Sequence, residues 1–108
     1  MTRAPRRQPV VPEAFKDEVR TWARKLRVAP RRVELRALTN KWASCSTAGR
    51  LCFSKDLLSA PASFRTYVIV HELLHLRLPN HGKLFRRLLS AHLGRDLDVD
   101  SFAQWRHG

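Results

Sequence analysis

The apolar positions of this chain change period several times, and each change marks an element. Phe15, Val19, Trp22 and Leu26 recur at i, i+4, i+7 and i+11, which makes one stripe along a helix. That helix is expected to begin near Pro12, with Glu13 at the positive end of its dipole, and to stop before Pro30. Alternation follows: Val33, Leu35 and Ala37 face one way, and Arg32, Glu34 and Arg36 the other, as in a half-buried strand. The turn-rich run Ser44-Cys45-Ser46-Thr47-Ala48-Gly49 leads to a second strand, Arg50 to Ser54, with Leu51 and Phe53 on one side. The short separation predicts that these two strands pair antiparallel.

From about residue 62 to residue 77 the pattern is helical and apolar nearly all round: Phe64, Tyr67, Val68, Ile69, Val70, Leu73, Leu74, Leu76. A helix without a polar face is a central, buried one. Pro79-Asn80 ends it, and a further helix is expected from about Gly82 to Leu93, with Leu84, Phe85, Leu88, Leu89 and Leu93 inward and Gly94 as its stop. Asp100 or Ser101 could cap one last turn carrying Phe102 and Trp105. The order of elements is α+β: helix, strand pair, then two or three helices.

Against that background His71, Glu72 and His75 are out of place. Polar groups on a helix buried on every side need a strong partner. Histidines four apart project from one face, one turn from each other, and both can reach one zinc ion at about 2.0–2.1 Å. Glu72 follows the first of them, so its carboxylate falls beside such an ion and can take a proton from a water on it. His81 can complete the set if the chain reverses at Pro79-Asn80, and His92 is the reserve on the last long helix. By chance, His-Glu-x-x-His arises in roughly 1% of shuffled chains of this composition, and a third histidine six positions on is rarer still. Two readings remain open. Three protein ligands with one open position suit a catalytic zinc, whereas a fourth, with Cys45 the nearest candidate, would make the zinc structural.

The run Tyr67 to Leu76, then Asn80-His81 and Phe85, resembles the YgjP-like metallopeptidase domain, which is related to the WLM and SprT-like zinc proteases. Upstream, Lys41-Trp42-Ala43-Ser44-Cys45-Ser46 is similar to the family's R-W-G-S-C-S box, with Ala43 in the place of glycine and, further on, Ser54 where asparagine is common. The likeness spans about residues 41–90. It implies a minimal zincin fold, one zinc per chain on His71, His75 and His81, Glu72 as catalytic acid/base and a peptide or protein as substrate. On this reading Arg50, Leu51, Cys52 and Phe53 form the strand along which an extended peptide pairs, and Trp42 either lines the cleft or anchors the core.

Composition adds scale and a possible partner. The chain has 108 residues, enough for one domain, read as 12–108 behind a flexible basic arm at 1–11. Its net charge is +12, and residues 1–41 carry 12 Lys/Arg against 4 acids. A face shared by Arg20, Arg24 and Arg27 suits nucleic acid as well as it suits a merely solvated surface. No apolar run approaches the length of a membrane span, and no secretion signal is visible at the start. With only Cys45 and Cys52 as thiols, the expectation is a cytoplasmic protein with both reduced.

Overall fold

Helix α1 (Pro12–Leu26) starts with proline in its first turn, where a missing N–H costs nothing, and buries Phe15, Val19, Ala23 and Leu26. Trp22 lies on the flank of that stripe, only half-buried. The computed structural model describes residues 9–93. The arm residues Arg3, Arg6 and Arg7, the stop at Gly94 and the turn with Phe102 and Trp105 lie outside them. α1 ends at Leu26 because Arg27 turns left-handed, φ 58°, while Val28 N–H donates to Ala23 O at 2.9 Å. Just before α1, Val10 N–H donates to Leu58 O at 2.8 Å.

The strands are β1 (Arg32–Arg36), β2 (Ala43–Cys45) and β3 (Arg50–Ser54), in the order β1-β3-β2. β1 and β3 are parallel, with Val33 opposite Leu51, which corrects the antiparallel pairing expected from their separation. The residues between them are enough to carry the chain back as β2, which pairs antiparallel with β3 from the other side. The turn Ser46–Gly49 joins β2 to β3: Gly49 N–H donates to Ser46 O at 3.0 Å, and Gly49 has φ 85°, open to glycine at no steric cost. β3, the strand expected to pair with an extended peptide, is therefore the central strand, with Leu51 and Phe53 in the core. Ala43 is fully buried at the start of β2. Ser54 caps a 3-10 turn (Lys55–Ser59), its Oγ accepting from Asp56 N–H at 3.2 Å.

α2 (Ala62–Leu74) runs through the middle, with Tyr67 to Leu74 all buried, as its all-round apolar pattern requires. Arg65 Nε reaches Glu18 Oε1 at 3.1 Å and ties α2 to α1, while Phe15 meets Phe53 edge-to-face at 5.2 Å between α1 and the sheet. Past Leu74 the coil tightens: Leu76 N–H donates to Leu73 O and Arg77 N–H to Leu74 O. His75 keeps a helical conformation, φ −64° and ψ −19°, so it stays one turn beyond His71. α3 (Lys83–Leu93) packs Phe85 and Leu89 onto α2, but Leu84, expected inward, is 57% exposed. α3 buries a narrower stripe than its leucine content suggests.

Candidate metal centre

Three pieces of local structure bring the histidines together. α2 supplies His71, the tightened turn after it supplies His75, and the loop through Pro79-Asn80 folds His81 back over both. Their ring centroids lie 4.9 Å (His71–His75), 5.0 Å (His71–His81) and 4.6 Å (His75–His81) apart. One nitrogen from each ring falls within 4.8 Å of the others. Donors on a tetrahedral zinc sit about 3.3 Å apart, so small side-chain rotations would bring these three onto one ion. Imidazole nitrogens alone are a donor set that suits zinc.

Phe85 is the floor under the group. Its ring lies 5.2 Å from that of His71 and 4.9 Å from those of His75 and His81, so one buried side chain from α3 restricts all three imidazoles. Exposure rises across the trio, from buried His71 through half-buried His75 to exposed His81. The site is therefore closed on the helix side and open on the other.

The Glu72 carboxylate is fully buried, and its Oε2 lies 3.5 Å from His71 Nδ1. A carboxylate in such a place costs several kcal/mol without a compensating positive charge, and an ion between the imidazoles would provide one. Its charge reaches neighbouring groups. Burial pushes the Tyr67 phenol upward and Glu72 adds to the shift, and the Cys45 thiol is raised by the same two causes in the same order. Both stay protonated at neutral pH.

The remaining residues singled out in the sequence separate into distinct places. Cys45 is not in the three-histidine group, and its thiol donates to Ser46 O at 3.5 Å. His92 is exposed, its ring edge-on to Trp22 at 6.2 Å, away from the inward stripe expected for it. Trp42 packs edge-on against Phe64 at 5.1 Å, Phe64 stacks on Tyr67 at 6.4 Å, and Tyr67 leans on His71 at 5.7 Å. The row Trp42–Phe64–Tyr67 leads to the histidines and was not read from the sequence. Its signal was present: Tyr67, His71 and His75 are spaced by four and share one face. Arg20 and Arg24 stand exposed on α1, whereas Arg27 leaves the helix at its left-handed cap.

Helix, mixed sheet and histidine-bearing helix in this arrangement define an α+β zincin-like domain. The fold matches the metallopeptidase zymogen of Methanocaldococcus jannaschii jannalysin with a TM-score of 0.72 and 24% identity, over 82% of this chain and 89% of that one. It matches the metallopeptidase zymogen of Pyrococcus abyssi abylysin with a TM-score of 0.63 and 22% identity, over 70% and 76%. The family model of the YgjP-like metallopeptidase domain matches residues 8–97, and the chain belongs to that family. No curated protein matches it. No helix among the described residues is long and apolar enough to cross a membrane.

Proposed function

We propose that the protein is a zinc-dependent peptidase of the His-Glu-x-x-His type, with His71, His75 and His81 holding one ion per chain. The observation that carries this reading is the convergence of three imidazole donors within 4.8 Å beside a fully buried glutamate. Zinc in such a site supplies Lewis acidity toward the scissile carbonyl and brings the pKa of water down toward about 7. Glu72, not itself one of the three donors, takes the proton from the attacking water and passes it to the leaving amine. Phe85 holds the imidazoles in register, and the apolar wall of α2 keeps bulk water from the carboxylate. Among the described residues no fourth donor, Cys45 included, joins the three histidines, which favours this reading over a structural zinc.

The peptide-pairing strand moves with the sheet order. β3 is bonded on both sides, so Arg50, Leu51, Cys52 and Phe53 offer no free backbone edge. Among the described residues β2 has a partner on one side only, and it packs against α2. An extended peptide adding to β2 would run past the row from Trp42 to His71. The third ligand gives the direct test. His81→Ala should lower zinc affinity by at least tenfold and His92→Ala should leave it unchanged, as read by competition with a chromogenic chelator. The reverse order would move the ligand to α3.

A second reading concerns the basic surface. A groove of about 520 Å³ runs between α1 and β1, lined by Lys16, Arg20, Arg24, Arg31 and Arg32 over Val19 and Val33. Arg20 is ion-paired with Asp17, and Arg32 with Glu34 at 2.8 Å, so their charges are partly spent. If the groove and its surroundings meet about four phosphates, affinity for duplex DNA should fall with salt at a log–log slope near −3.6, with little sequence preference. Arg20→Ala with Arg24→Ala should flatten that slope and leave zinc content alone. No saturable binding at about 150 mM salt would rule out nucleic acid as a partner of this surface.

A further inference from the structure

A second cavity, of about 570 Å³, opens directly beside His75. Its walls come from three separated stretches: the end of α1 and the approach to β1, the β2–β3 turn, and the turn after α2. Arg27, Arg31, Arg77, Ser46 and Thr47 are among the residues that line it, and no Asp or Glu among the described residues does. Three cationic side chains around one space make it a favourable place for an anion.

Each arginine is placed by a different part of the fold. Arg27 is the left-handed cap of α1, its N–H donating to Arg24 O at 3.2 Å. Arg77 Nη1 donates to Leu26 O at 3.3 Å, at the negative end of the same helix. That bond uses one of its five N–H groups. The stem of Arg31 crosses Gly49 so closely that a Cβ there would meet Arg31 Cγ at 3.3 Å and Cδ at 3.7 Å. The fold thus brings cations from distant parts of the chain to one end of β2, next to a proposed zinc ligand.

We propose that this cavity is a carboxylate subsite, which makes the protein selective for peptides bearing a carboxylate near the scissile bond. The inference rests on the peptidase reading and deepens it by naming the substrate class. Guanidinium groups bind carboxylates through paired, charge-assisted hydrogen bonds. An extended peptide advances about 3.3 Å per residue, so a cavity that begins at His75 receives a group one or two residues from the bond being cut. The carboxylate is either an Asp or Glu side chain or a free C-terminus.

The test uses zinc-loaded full-length protein and a neutral eight-residue peptide, with glutamate placed at each position in turn and the C-terminus free or amidated. One placement should raise kcat/KM roughly tenfold, an effect that weakens with salt. If amidation removes the gain, the carboxylate is the C-terminal one; if it does not, it is the side chain. Arg27→Gly removes a charge while suiting the left-handed backbone, and should lose most of the preference without a drop in Tm. Arg27→Glu should turn the preference toward lysine. Binding of the same peptides to Glu72→Gln, followed by calorimetry, reads the subsite without turnover. Equal binding and equal cleavage of neutral and acidic peptides would overturn the subsite and leave the peptidase standing. Selective binding of acidic peptides with none cleaved by the wild type would keep the subsite and end the peptidase reading.

Discussion

Glu72→Gln is expected to keep its zinc and lose peptide hydrolysis by about 10²–10⁴-fold in kcat, the usual contribution of a general base. The two effects separate because the carboxylate is beside the three-histidine group and not in it. Glutamine has nearly the same shape, so the fully buried position leaves no cavity and α2 keeps its packing. Loss of an interaction made only in the transition state should lower kcat and kcat/KM together, with KM little changed. A variant that cleaved as fast as wild type would remove Glu72 from the chemistry.

His71→Ala should have the next largest effect, on metal content and stability together. His71 is the most buried of the three histidines, 5% exposed, and its ring touches those of His75, His81 and Phe85. A ligand at a thousandfold excess over its Kd stabilises a fold by about 4 kcal/mol. In a domain of this size each kcal/mol moves Tm by about 4 °C or more. The variant should therefore melt about 15 °C below the zinc-loaded wild type and gain nothing from added zinc. Stripping the wild type with a chelator should reproduce most of that drop. A variant that still bound zinc with wild-type affinity would show that the ion, if any, sits elsewhere.

The helices and the histidine triad were legible because both depend on short-range spacing. The α1 stripe, the all-round apolar α2 and the i, i+4 histidines are properties of consecutive residues, and the structure has them where the pattern puts them. Strand order was not legible. Alternation tells which side chains face the core, as Leu51 and Phe53 do, but not which backbone edge is bonded to which. Ser44 and Cys45 read as turn residues, and that concealed β2, the short strand that lets β1 and β3 run parallel. Arg27, Arg31 and Arg77 are spread over fifty residues, so their meeting beside His75 depends on the tertiary fold. His92 misled for a simpler reason: its place on the apolar stripe of α3 left open whether that edge of the helix was buried, and it stands exposed against Trp22.

We propose that three histidines and no thiol hold one zinc ion in each chain. Elemental analysis of the purified protein, with X-ray absorption at the zinc edge, tests it directly. The expected result is about one zinc per chain, coordinated by three imidazole nitrogens, with no sulfur scatterer at about 2.3 Å. A sulfur scatterer there would make the site structural through Cys45, and a stable protein that neither contains nor takes up zinc would rule out a metal centre altogether.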